Sequence, residues 1–241
     1  MSAHARGANH VPEGAIPRRS LLVGTLACGT AAAHRAAGMG SMPPGVGSLP
    51  IPPSHALAFR LIRHGDDIGK HTLAFQVSGD TVVIEIAVDV LYKFGPIPLI
   101  HYTHRTSEVW RNGRLASLDA YTDKNGGELR MSARRVAAGL QVQGSGAQPY
   151  IAPDNALPTT YWNFRLLRGP MIGTQDGMLV HPKVTEKPIE QVRLASGLEA
   201  AARCYSLSGD LDLDLWYDAE ANWMSMRFTV ADGSEIKYER L

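Results

Sequence analysis

From residue 55 to the end of the chain, apolar and polar positions alternate over short stretches, the period of a half-buried β-strand rather than of a helix. Leu57, Phe59 and Leu61 alternate with Ala58 and Arg60. His71, Leu73, Phe75 and Val77 alternate with Thr72, Ala74 and Gln76, and Val82, Ile84, Ile86 and Val88 alternate with Val83, Glu85, Ala87 and Asp89. Turn chemistry sets the registers. Gly79-Asp80 is a two-residue hairpin signal that places Phe75 opposite Ile84 and Leu73 opposite Ile86. A three-residue loop at 66–68 places Leu61 opposite Leu73 and Phe59 opposite Phe75. Both choices give the same apolar face and leave Lys70 facing Asp89 and Ala74 facing Glu85 on the other. A one-residue slip would turn every side chain over.

Pro96 and Pro98 remove ladder donors, so 94–98 reads as a crossing or a corner. Asn112-Gly113 is a strong hairpin signal between strands at 100–111 and 114–122. It sets Trp110 opposite Leu115, Glu108 opposite Ser117, Thr106 opposite Asp119 and His104 opposite Tyr121. One face then carries Tyr102, His104, Glu108, Trp110, Asp119 and Tyr121, and the other, with Val109, Ala116, Leu118 and Ala120, reads as core. Strands follow at 129–136 and 140–143, a loop at 144–160, and a short helix within 159–167 capped by Thr159 or Thr160. Strands resume at 178–184, 190–194 and 203–207. The chain closes on a meander of 211–217, 223–230 and 235–240. There, a loop at 219–222 sets Asp214 opposite Arg227, Leu215 opposite Met226 and Tyr217 opposite Met224. A three-residue loop, Asp232-Gly233-Ser234, sets Phe228 opposite Tyr238 and Val230 opposite Ile236. The expected fold is mainly β: an antiparallel meander forming a barrel or strongly curved half-barrel with little helix.

The first 54 residues follow other rules. Arg18-Arg19-Ser20-Leu21-Leu22 leads into an Ala-rich apolar run ending at Ala33, the pattern of a twin-arginine export signal. The run is too short to span a bilayer, which takes ~20 residues, and no other segment reads as transmembrane. Residues 34–54 are Gly- and Pro-rich and read as a linker. The expected organisation is a signal at 1–33, a linker at 34–54 and one β-rich domain at 55–241, periplasmic or secreted. The alternative is a lipid anchor at Cys28, in Leu26-Ala27-Cys28-Gly29.

Composition narrows the function classes. Lys and Arg total 24 against 23 for Asp and Glu, a net charge of +1 that supplies no basic footprint for nucleic acid and no polybasic membrane patch. With Cys28 inside the signal, Cys204 is left alone and reads as a small buried hydrophobe. Phosphate-loop, dinucleotide, Gly-x-Ser-x-Gly and Cys-x-x-Cys motifs are absent from the sequence, and nothing calls for a cofactor. His101 and His104, three apart on a strand, point to opposite faces and cannot chelate one metal ion. Asp212 and Asp214 alternate with Leu211, Leu213 and Leu215 as the outward face of a strand rather than a calcium loop.

What remains is the aromatic and acidic set: Tyr102, His104, Glu108, Trp110, Asp119 and Tyr121, with Trp162 and Asn163 from Tyr161-Trp162-Asn163. Aromatic rings mixed with a His and carboxylates suit a ligand pocket or an acid–base site. Three functions follow: a β-barrel-like protein binding an apolar or amphipathic small molecule; a hydrolase or isomerase using Glu108, Asp119 and His104; or a non-catalytic envelope structural or assembly partner.

Several of these residues also carry a resemblance. Glu108-x-Trp110-x-x-Gly113-x-Leu115, Tyr161-Trp162-Asn163, Gly209-Asp210, Leu215-Trp216-Tyr217-Asp218, and Asp232-Gly233-Ser234 with Tyr238 resemble a family of exported bacterial proteins labelled as a domain of unknown function. The likeness covers most of 57–241. It implies a β-rich periplasmic domain, similar in architecture to the half-barrels of lipoprotein carriers, and supplies no catalytic residues.

Overall fold

The computed structural model describes residues 49–94 and 97–241; the expected export signal, Cys28 and residues 34–48 of the expected linker lie outside them. The chain begins with β1 (Ala56–Arg63), β2 (Asp66–Ser78), β3 (Thr81–Phe94), β4 (Ile97–Arg111), β5 (Arg114–Lys124), β6 (Gly127–Val136), β7 (Gly139–Gly144) and β8 (Ala147–Ala152). Three short strands follow, β9 (Leu157–Pro158), β10 (Met171–Ile172) and β11 (Leu179–Val180), with a 3-10 turn at Phe164–Arg168. The chain ends with β12 (Lys183–Arg193), β13 (Glu199–Ser208), β14 (Leu213–Tyr217), β15 (Trp223–Thr229) and β16 (Glu235–Arg240).

The long strands make one 13-stranded antiparallel sheet in the order β12-β13-β14-β15-β16-β1-β2-β3-β4-β5-β6-β7-β8. Every neighbour is sequence-adjacent except β16 and β1, which close the middle with Leu61 opposite Tyr238. Among the described residues the two edges, β12 and β8, do not pair, so the sheet is open and is not a closed barrel. Its inner face converges on one buried cluster running from Leu140 and Val142 of β7 to Leu207 and Leu215 of β13 and β14. The small β9–β11 sheet, with Leu157, Trp162, Leu166 and Met171, belongs to that cluster and plugs the interior. Leu49 and Ile51, at the end of the stretch read as linker, pack against it too. A second, smaller cluster sits on the outer face: Val192, Ala202, Cys204, Trp216 and Met224. Burial pushes the Cys204 thiol up to about 11, so this cysteine is a packed, unreactive group.

The hairpin at Gly79-Asp80 has the expected register, with Phe75 opposite Ile84, Leu73 opposite Ile86 and Lys70 opposite Asp89. The first hairpin differs. Its turn is His64-Gly65, both at positive φ, and a bulge between Leu61 and Ile62 restores the apolar parity. Phe59 therefore faces His71, and Leu61 faces Gly69. Of the segment expected to cross or turn a corner, residues 94, 97 and 98 continue the β3–β4 pairing, with Lys93 opposite Pro98 and Phe94 opposite Ile97, and residues 95 and 96 lie outside the described residues. Residues 147–152, read as loop, form the edge strand β8, where Pro149 is tolerated because an edge needs fewer donors. The 3-10 turn is capped by Asn163, not by Thr159 or Thr160.

In the C-terminal meander Asp214 lies opposite Arg227 and Leu215 opposite Met226 as expected. A bulge then places Tyr217 opposite Trp223 rather than Met224. At the next turn the Val230 N–H bonds the Ser234 carbonyl at 2.9 Å, so the loop is one residue earlier than Asp232-Gly233-Ser234. Phe228 consequently faces Ile236, not Tyr238, and Arg227 faces Lys237. Glu235 is not buried: its side chain is partly exposed, 3.1 Å from Lys237 and 3.4 Å from Arg227.

Candidate functional site

The Asn112-Gly113 hairpin contains the decisive departure. Trp110 faces Leu115, but a bulge between Val109 and Trp110 shifts all that follows. Glu108 faces Leu118, Thr106 faces Ala120 and His104 faces Thr122. His104, Thr106, Glu108 and Trp110 therefore lie inside with Leu118 and Ala120, and the face read as core is not a separate one. Asp119 and Tyr121 turn outward. Arg134 Nη2 donates to both Asp119 carboxylate oxygens at 2.6 Å, and the Arg130 guanidinium lies 4.5 Å from the Tyr121 ring centre.

Glu108 is fully buried. The Trp110 indole N–H donates to its Oε2 at 2.6 Å and the Trp162 indole N–H to the same oxygen at 3.2 Å. Those rings meet edge-on, with centroids 5.4 Å apart. Burial pushes the Glu108 carboxyl above the ordinary range, against hydrogen bonds from Thr160, Trp110 and Trp162 that pull it down. Trp162 thus packs under the sheet as a plug. Asn163, also buried, accepts from the Arg165 backbone N–H at 3.1 Å.

Beyond this clamp lies an interior cavity of about 290 Å³. Its walls are Leu61, Ile86, Val88, Met226, Ile236 and Tyr238, with the plug residues Thr159–Tyr161 across from them. Tyr102 and His104 line it, whereas Glu108, Trp110, Trp162, Asn163, Asp119 and Tyr121 do not. His104 is satisfied on both sides, its Nδ1 lying 2.8 Å from the Thr122 hydroxyl and its Nε2 2.9 Å from that of Thr106. Burial, helped by Arg105, holds its pKa down to about 4.

The expectation lacked two polar residues that line the cavity. His71 stands on the apolar face among the rings of Phe59, Trp223 and Tyr238, with centroids 6.2, 5.3 and 5.7 Å away. Among the described residues, neither ring nitrogen has a hydrogen-bond partner. Burial, and to a smaller extent His104, hold its pKa down to about 3. Arg63 is 4% exposed. Its Nε donates to the Ser234 hydroxyl at 2.8 Å, its Nη2 pairs with Asp232, and its carbon lies 4.1 Å over the Tyr92 ring. Among the described residues, the Arg63 Nη1 has no partner. The sequence signal for both was a polar residue at an apolar-face position: Arg63 continues Leu57, Phe59 and Leu61, and His71 precedes Leu73 and Phe75. Among the described residues, no group of three His, Cys, Asp or Glu side chains is placed to hold a metal ion.

Fold and site together define a mainly β protein, one large open antiparallel sheet around a small internal β9–β11 plug, in which β9 and β10 run parallel, and a small apolar cavity. The chain belongs to the family described as Domain of unknown function (DUF6134), whose model matches residues 59–241. No curated protein matches it. Among solved structures it is similar to a beta-barrel-like protein of Domain of Unknown Function DUF1849 from Brucella abortus, with 10% sequence identity and a TM-score of 0.54 over 77% of this chain and 94% of that one. At that identity the likeness concerns the fold alone.

Proposed function

We propose that the chain is an exported binding protein whose sheet, bent into a half-barrel, holds an apolar or amphipathic small molecule. The observation that carries this reading is the cavity. Its 290 Å³ sits at the lower end of ligand pockets, which run about 300–1,000 Å³, and its few polar groups are set in aliphatic and aromatic walls, as such pockets require. The acid–base alternative needs Glu108, Asp119 and His104 in one cleft. Asp119 lies on the opposite face and Glu108 is sealed behind two indoles, so the geometry does not favour it. An assembly partner adding a strand would meet edges interrupted by Pro149 and Pro188, which supports the small-molecule reading over that one.

The test is binding of N-phenyl-1-naphthylamine, whose fluorescence rises in an apolar site, together with Val88→Trp, which fills the cavity. Wild-type protein should enhance the dye, and the variant should lose most of that enhancement while keeping its β-sheet circular dichroism. Equal enhancement by both proteins would refute the reading. Native mass spectrometry of protein taken from its own periplasm gives the independent readout, a co-purifying apolar molecule.

A further inference from the structure

The cavity has two ends with different chemistry. Exposed or half-exposed residues gather at one: Val90, Ile100, Leu213, Val230, Asp212 and Asp232. This is the mouth, and Arg63 stands there, under the turn that carries Asp232. The buried residues His71, His104 and Tyr238 form the other end. Phe59 faces His71, and Arg63 lies four residues further along the same strand, about 13 Å at roughly 3.3 Å per residue. A volume of 290 Å³ holds on the order of ten non-hydrogen atoms, taking a water-sized share of about 30 Å³ for each.

Resting on the binding reading above, we propose that the ligand is an uncharged medium-chain amphiphile, an acyl amide, ester or alcohol, whose head oxygen accepts a hydrogen bond from Arg63 Nη1 at the mouth. The unpartnered Nη1 is a buried donor that calls for an acceptor. Charge decides what kind of acceptor. Asp232 already balances Arg63 through Nη2, and Asp212 adds a second carboxylate to the lining. Hydrogen bonds from Ser234, and Arg63 beside it, hold the Asp232 carboxyl below its ordinary range, so it is ionised at neutral pH. A carboxylate head would bring a third negative charge to one cation, whereas a carbonyl or hydroxyl oxygen satisfies Nη1 without that repulsion. The deep end offers no compensating cation, because burial keeps both His71 and His104 neutral.

Octanamide and octanoate match in size and differ in charge. In displacement of the naphthylamine dye at pH 7.5, octanamide should bind at least tenfold more tightly than octanoate. Arg63→Met should weaken octanamide about tenfold. Because Arg63 also ties down the β15–β16 turn, Asp232→Asn supplies a second variant on an exposed side chain. It frees the guanidinium charge, and the preference for octanamide should shrink or reverse. If octanoate binds wild-type protein as well as octanamide, or neither displaces a dye that Val88→Trp excludes, the uncharged-head inference is overturned and the binding reading survives. If the dye does not enter the cavity at all, both fall.

Discussion

Acid should destabilise this protein through His71, and the size of the effect can be worked from its surroundings. The ring is enclosed by Phe59, Trp223 and Tyr238, has no hydrogen-bond partner at either nitrogen, and has a pKa of about 3 in place of 6.5. A folded pKa below the unfolded one means that the unfolded chain takes up the proton first. The contribution to stability is therefore complete above pH 6.5 and is lost as pH falls toward 3. At about 1.4 kcal/mol per pH unit the whole loss is roughly 5 kcal/mol, with about 2 kcal/mol gone by pH 5 and about 3 kcal/mol by pH 4. His104 adds a smaller loss of the same sign, and Glu108, whose pKa is raised, an opposite one, so wild-type protein alone does not isolate the effect. His71→Phe does. Phe fits a slot already walled by rings and removes this titration. Urea unfolding of both proteins at pH 7.5, 5 and 4 should show the variant gaining on wild type by about 2 and then about 3 kcal/mol. Parallel stability curves down to pH 4 would refute the reasoning.

Three further outcomes are expected. Glu108→Leu strands the Trp110 and Trp162 indole N–H groups and should cost roughly 2–6 kcal/mol in urea unfolding, at about 1–3 kcal/mol per orphaned donor; Glu108→Gln keeps an acceptor and should cost about 1 kcal/mol or less. Gly144→Ala would put a methyl 2.0 Å from the Asp176 carbonyl oxygen, where the plug meets β7, so hydrogen exchange at Gly146 and Gly177 should accelerate while β1–β3 stay protected. Arg18→Lys with Arg19→Lys should leave the chain unprocessed in the cytoplasm, measured by fractionation and immunoblot; normal arrival in the periplasm would rule out twin-arginine export.

The parts of the fold legible in the sequence were those whose turns announce themselves. Gly79-Asp80 fixed one register because a two-residue turn leaves no freedom, and the alternation on either side agreed with it. The first hairpin turns on His64-Gly65, both at positive φ, a weaker signal than the Asn-Gly or Asp-Gly pairs that announce such a turn. The Asn112-Gly113 turn was read correctly, yet the Val109–Trp110 bulge moved Asp119 and Tyr121 to the outside and brought Leu118 inside with Glu108. A bulge inserts one residue without altering composition, so alternation alone cannot detect it. The buried status of Glu108 was hidden for another reason. Its partner Trp162 lies 54 residues away on the plug, and nothing local says that two indoles will converge on one carboxylate. Arg63 and His71 interrupt apolar faces, and strand periodicity treats such positions as tolerated exceptions.

The pairing of β1 with β16 has a consequence for how the molecule is made. Every other backbone pairing between long strands joins chain neighbours and can form as the chain emerges. Leu61 meets Tyr238 only after β16 has left the ribosome, and closing so long a loop is the slow kind of step. A nascent chain ending before residue 235 holds two partial sheets, one with β1 and the other with β15 as a bare edge, the arrangement that recruits other strands. The six-residue strand β16 is thus the piece that joins the two halves, and in a chain that stalls or is clipped before it both edges stay bare.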